Sequence, residues 1–95
     1  MLTLTDTAAV VVKELVSRRH GPEASGLRID TNDDAGREFA VAIVPTPDER
    51  DAVIEQDGAR VYLGERAAVT LDDKTLDAAV SNDGRVSFDL LPQQA

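Results

Sequence analysis

The chain has 95 residues, 42% of them hydrophobic, which suits one modest domain spanning 1–95 and is too short for two. Ten Lys and Arg stand against eighteen Asp and Glu, a net charge of -8, so nucleic-acid phosphates and anionic membranes repel it and neither is an expected partner. There is no cysteine, which excludes disulfides, thiolate metal sites and a catalytic thiol within these residues, and the three aromatics (Phe39, Tyr62 and Phe88) leave little from which to build a stacking platform.

The first residues, Met1 to Asp6, lack a basic region followed by an apolar stretch, so no signal peptide is read there, and the cytoplasm is the expected location. Thr5 or Thr7 can cap a helix, with Asp6 favourable in its first turn. Ala8, Val11, Val12, Leu15 and Val16 recur at helical spacing and predict one buried stripe. Arg18, Arg19 and His20 fall in the last turn, where cations complement the helix dipole; with Lys13 they are the chain's only candidate basic patch. Gly21 is placed for a left-handed cap and Pro22 for a stop.

From Gly26 the period changes to two, and Leu27, Ile29 and Thr31 alternate with Arg28 and Asp30 as in a half-buried strand. Residues 32–36 are a polar break. Phe39 to Val44 is apolar at every position, which predicts a central strand covered on both faces, ended by Pro45 and Pro47. Asp48 to Asp51 reads as a charged surface loop. Ala52–Gln56 and Arg60–Leu63 predict a hairpin around Asp57-Gly58, because a type I′ turn needs positive φ at both central positions. Gly64 to Leu71 predicts a short helix with Ala67, Ala68 and Leu71 on one side, and Asp72-Asp73 a turn. Leu76, Ala78 and Val80, then Val86, Phe88 and Leu90, alternate with polar or small residues on either side of an Asn82-Asp-Gly84 turn. Most connections are too short for parallel crossovers, so an α+β domain with mixed or antiparallel sheets is expected and a doubly wound one is not.

The order of these segments resembles the HesB/IscA-like family, the A-type iron–sulfur cluster carriers. Leu2-Thr-Leu-Thr-Asp-Thr-Ala-Ala9 is similar to the family's opening into its amphipathic helix, and Gly26-Leu-Arg-Ile29 to its first core strand. Asp51 to Leu63 resembles its central hairpin, and Leu71-Asp-Asp-Lys-Thr-Leu-Asp77 the family's Leu-x-Gly-x-x-Leu-Asp. The resemblance implies a small HesB-like α+β fold, work in iron–sulfur cluster biogenesis, a partner from the assembly machinery and a homodimer or higher oligomer. It also implies a cluster held by three cysteines, one in the loop after the first core strand and two in a later Cys-x-Cys. The loop reads Thr31-Asn-Asp-Asp-Ala-Gly-Arg37 here; aligning Gly36 with the family glycine puts Asp34 near the cysteine position. No Cys-x-Cys occurs. Gly64 stands where the family has an acidic residue, Ala67 where it has a serine, and Asp73 where it has the turn glycine.

Two readings of function follow. In the first, the chain is a cysteine-less accessory or adaptor factor related to iron–sulfur assembly, neither an enzyme nor a thiolate-ligated carrier, acting by contact without a cofactor. In the second, iron or another divalent cation is bound by an Asp-rich loop through Asp33, Asp34 and Glu38, since hard cations prefer carboxylate oxygens. Against catalysis there is no serine nucleophile elbow, phosphate-cradling glycine loop or pair of histidine ligands, and the adjacent Asp72-Asp73 suits a turn better than an acid/base pair.

Overall fold

In the computed structural model the described residues are 1–19, 21, 23–31 and 39–93. A two-residue strand, β1 (Thr3–Leu4), leads into the helix α1 (Asp6–Arg18). Four strands follow: β2 (Gly26–Asp30), β3 (Ala40–Val44), β4 (Ala52–Gln56) and β5 (Ala59–Leu63). A short helix, α2 (Glu65–Thr70), then precedes the β6 (Lys74–Val80) and β7 (Val86–Pro92) pair. The strands form two mixed sheets, in the orders β3-β2-β5-β4 and β1-β6-β7. In each, one parallel pair (β2 with β5, β1 with β6) joins segments far apart in sequence, while the hairpins supply the antiparallel pairs.

Helix α1 starts where the sequence allows it: Thr5 is the N-cap, its Oγ1 accepting from the Ala8 amide at 3.1 Å. The same hydroxyl donates to Asp77 Oδ1 at 2.8 Å, so the cap also ties the helix to β6. Ala8, Ala9, Val11 and Val12 are buried, and Leu15 and Val16 pack against the same core. That core lies under α1, with Leu27 and Ile29 of β2, Val61 and Leu63 of β5, and Leu76 and Ala78 of β6. Leu2 and Leu4 close it from the N-terminal strand, 2% and 5% exposed. Gln56 fixes that strand by a paired contact, accepting from the Leu4 amide at 3.1 Å and donating to the Leu4 carbonyl at 2.7 Å.

The Asp57-Gly58 turn has φ of 51° and 85°, the two positive angles a type I′ turn requires. The predicted end of α1 differs. Arg19 is the C-cap in a right-handed conformation (φ −80°), and positive φ in glycine is confined to Gly58 and Gly84 among the described residues. Gly21 instead lies exposed beside Ser25, whose Oγ would be 2.6 Å from a Cβ there. Nor do the basic residues near this end form one patch, for Lys13 lies over Gly58 while Arg18 lines a groove with Val80, Gly84 and Val86. His20 and Pro22 are outside the described residues.

The larger correction concerns the all-apolar run. β3 is an edge strand, and Ala40, Val41 and Ala42 are exposed. An unbroken apolar run reports that a segment has no polar face; it does not report who its neighbours are. The central places beside β2 and β4 go to β5, whose Ala59, Val61, Tyr62 and Leu63 are all buried.

Tyr62 lies outside the core cluster that takes Ala59, Val61 and Leu63, and is nonetheless 2% exposed. Its ring lies over Gly26, and its hydroxyl donates to the Ala24 carbonyl. A Cβ on Gly26 would sit 2.7 Å from the ring and 3.0 Å from the Arg60 carbonyl oxygen. Neither neighbour yields easily, one being pinned by its hydroxyl and the other being backbone. Gly26→Ala is therefore expected to cost about 2 kcal/mol in urea unfolding, as overpacking does, although Ala is the better residue by intrinsic propensity.

Candidate functional site

Arg28 and Asp30 lie on the face of β2 opposite α1, at the end of the strand that enters the loop where the resemblance places the first cysteine. Arg28 is the hub. Its Nε and Nη2 donate to Asp51 Oδ2 and Oδ1 at 2.8 and 3.0 Å, a bidentate fork, and its Nη1 donates to Asp30 Oδ2 at 3.1 Å. Asp48 adds a looser charge at 4.0 Å. The Asp51 side chain is 1% exposed and that of Arg28 25%. The rest of Asp51 is satisfied locally: Oδ2 accepts from the Asp48 amide at 3.0 Å, and the Asp51 amide donates to the Asp48 carbonyl at 3.1 Å. Asp51 is thus not part of a surface loop, as the charge pattern predicts, but the buried anchor that ties the β3–β4 connection to β2. Asp30 holds the start of the next segment, its Oδ1 accepting from the Thr31 amide at 2.9 Å.

Gly64, the N-cap of α2, closes the site. Its amide donates to the Ile29 carbonyl at 3.0 Å. Its Cα is so close that a Cβ would collide with the Asp30 carboxylate and lie 3.2 Å from Arg28 Nη2. A groove of about 300 Å³ opens beside the network, lined by Arg28, Asp48, Glu49, Arg50, Asp51 and Glu65. Arg50 and Glu65, both largely exposed, meet across it at 3.8 Å.

The electrostatics follow from the fork. Arg28 is held charged well above its ordinary range, chiefly by the hydrogen bonds to Asp51. The Asp51 carboxyl is pushed below the usual carboxylate range, first by those bonds and then by the Asp48 amide, against the opposing effect of burial. A carboxyl with a depressed folded-state pKa stabilises fully above its unfolded value near 3.8 and loses that contribution as pH falls through the folded value. The pair's contribution is therefore expected to be full and independent of pH near neutrality and to be lost below about pH 4, and Asp51→Asn should flatten that part of a stability-versus-pH curve.

The arrangement suits structure better than ligation. A guanidinium fills the position among Asp30, Asp48 and Asp51 that a cation would need, and no group of three His, Cys, Asp or Glu among the described residues is placed to hold a metal. Thiolates, the usual cluster ligands, are missing from all 95 residues. The donors present do not fit an iron–sulfur cluster. Asp33, Asp34 and Glu38, the residues of the carboxylate reading, lie outside the described residues; their neighbour Asp30 is committed to Arg28 and to the Thr31 amide. Asp72 and Asp73 are exposed turn residues, with Asp73 3.4 Å from Lys74 Nζ. The sequence signal for the Arg28 network was faint: a cation at an alternating strand position opposite an acidic segment twenty residues on, with nothing to indicate that the two meet.

No helix among the described residues is long and apolar enough to cross a membrane. A profile of the family described as iron–sulphur cluster biosynthesis matches residues 1–89. The chain is 32% identical over 76 residues to the iron–sulfur cluster assembly protein SufA of Escherichia coli K12; the match takes in 80% of this chain and 62% of that relative's length. The crystal structure of Escherichia coli SufA, involved in biosynthesis of iron–sulfur clusters, superposes with a TM-score of 0.79 at 27% identity, over 96% of this chain and 84% of the other. A crystal structure of IscA with its [2Fe-2S] cluster shares the fold, with a TM-score of 0.70 at 18% identity over 97% and 85% of the two chains. The α+β fold with its two helices and mixed sheets is that of SufA and IscA, and the chain belongs to the iron–sulphur cluster biosynthesis (HesB/IscA) family, as a member without cysteine in its 95 residues.

Proposed function

We propose that this protein is an accessory or adaptor factor of iron–sulfur cluster assembly that acts by contact with a protein of that machinery, not as an enzyme and not as a thiolate-ligated carrier. The observation that carries this reading is the Arg28–Asp51–Asp30 network. It stands at the root of the loop where the resemblance places the family's first ligand, and its two best-placed carboxylates neutralise an arginine instead of facing an open site. In a chain without cysteine, this favours a retained scaffold over a retained cluster site.

Anaerobic reconstitution with ferrous iron and sulfide tests it. The expected result is a protein that comes off a desalting column without the visible absorption of a cluster. A stoichiometric cluster on the purified chain would overturn the reading. The competing proposal, a cation held by Asp33, Asp34 and Glu38, is tested in parallel by thermal unfolding with ferrous iron, manganese and calcium. A ligand that binds only the folded state raises the midpoint, and a rise abolished by Asp33→Asn with Asp34→Asn would establish that site in place of the adaptor reading.

A further inference from the structure

A groove of about 250 Å³ opens between the second half of α1 and the β4–β5 hairpin, and it shares no residue with the Arg28 network. Ser25 lines it and is 5% exposed, yet its hydroxyl makes no hydrogen bond to the protein among the described residues. Every fully buried side-chain polar atom among those residues has a partner, as buried polar groups should. The Ser25 Oγ is therefore left to whatever occupies the groove. Two cations line the same space. Lys13, whose stem lies over Gly58, has no ion pair among the described residues. Arg60 is partly committed: its Nη1 donates to the Glu23 carbonyl, and its Nε reaches Glu55 Oε1 only at 3.4 Å, which leaves guanidinium N–H groups to spare. Glu23 and Glu55 also line the groove, so its formal charge is balanced, Lys13 and Arg60 against two acids.

We propose that this groove binds a free α-amino acid with a short side chain, its carboxylate taken by Lys13 and Ser25 and its ammonium by the Glu23 and Glu55 carboxylates. Charge selects the class. A balanced groove on a chain of net charge -8 offers little to phosphate or another dianion, which the molecule as a whole repels. A simple cation is opposed by Lys13 and Arg60. A ligand with one charge of each sign meets no net field and satisfies both sets of side chains. Volume selects the size. Drug-sized ligands occupy about 300–1,000 Å³, so this groove suits something smaller, and Val16 is its apolar contact for a short side chain. Because the groove is open and its charged residues are largely exposed, binding is expected in the millimolar range.

The test uses the intact chain and L-alanine, followed by amide chemical shifts in nitrogen–proton correlation spectra, independently of any iron chemistry. Saturable shifts are expected at Lys13, Ser25 and Gly58, with none at Gly64 beside Arg28. N-acetyl-L-alanine, which lacks the ammonium, L-alaninamide, which lacks the carboxylate, and inorganic phosphate should each bind about tenfold more weakly, as loss of a charge-assisted contact requires. Lys13→Gln and Ser25→Ala should each weaken L-alanine about tenfold, whereas Glu14→Gln, on the flank of α1 that faces Val80 and Val86, should leave it unchanged. Since the Ser25 hydroxyl has no partner in the protein, Ser25→Ala should also leave the thermal midpoint where it is, which separates a ligand role from a structural one. The absence of saturable shifts with L-alanine at tens of millimolar overturns the proposal. So does phosphate binding as tightly as L-alanine, binding indifferent to Ser25→Ala, or a midpoint that falls in that variant.

Discussion

Arg28→Ala is expected to be the most damaging substitution at the candidate site, at about 3–5 kcal/mol in urea or guanidinium unfolding. It strands the Asp51 carboxylate, whose side chain is 1% exposed, with only the Asp48 amide at 3.0 Å for a partner. Asp51→Ala should cost less, about 2 kcal/mol, because Arg28 is a quarter exposed and keeps Asp30 and water as partners. The asymmetry is the informative part. If the two single variants lose equal stability, the pair acts through mutual attraction; if Arg28→Ala loses more, the burial of Asp51 dominates, as the geometry requires. A double variant, Arg28→Met with Asp51→Leu, should recover most of the loss, since replacing a whole buried ion pair by apolar residues is often near neutral. For a domain of this size each kcal/mol corresponds to about 4–8 °C in Tm, so thermal scans resolve these differences. A loss under about 1 kcal/mol for Arg28→Ala would show that the network is not what fixes the β3–β4 connection.

Gly64→Asp is the second large effect, and here local rules and tertiary structure predict opposite signs. Gly64 caps α2 without a side-chain hydrogen bond, and Asp is among the best N-cap residues, so helix rules predict a small gain of about 0.3 kcal/mol. The backbone does not object, with φ −57° and ψ 158°, a conformation open to any residue. Space does. The new Cβ would occupy the position of the Asp30 carboxylate, which is itself held by Arg28 and the Thr31 amide, and a second carboxylate would be forced against the first. The expected result is a loss of about 2 kcal/mol. In an Asp30→Ala background the clash and the repulsion both disappear, and the same substitution should become neutral or stabilising. A double-mutant cycle over Gly64 and Asp30 reads this coupling directly. Without coupling, Gly64 is a cap residue only, and the packing of α2 against the network plays no part. The site where the family resemblance expects an acid has, in this chain, no room for one.

Much of the architecture was legible along the chain because it depends on local chemistry. The Thr5 cap, the Ala8–Val16 stripe, the type I′ turn at Asp57-Gly58, the short helix after Gly64 and the alternation through Leu76–Ala78 and Val86–Leu90 each rest on spacing or on φ preferences of single residues, and each is present. The same logic misplaced Gly21. A glycine after a helix fits a left-handed cap, but Gly21 does not take the positive φ of one, and only the folded chain shows that.

The remainder was decided by which distant segments meet. β2 takes β5 as its parallel neighbour thirty-odd residues away, which leaves the apolar β3 at an edge, not in the middle. Periodicity registers polarity along one strand and is blind to the order of strands across a sheet. Asp51 looked like one more surface acid in Asp48–Asp51 until the fold brought it against Arg28, because burial of a charge depends on a partner that the one-dimensional pattern does not name. The amino-acid sequence by itself determined the family, the acidic and cysteine-free chemistry, and most of the local elements. Tertiary structure alone decided that Asp30 and Asp51 serve Arg28, and that the most apolar strand lies at a sheet edge, since both outcomes turn on contacts between residues that no local rule connects.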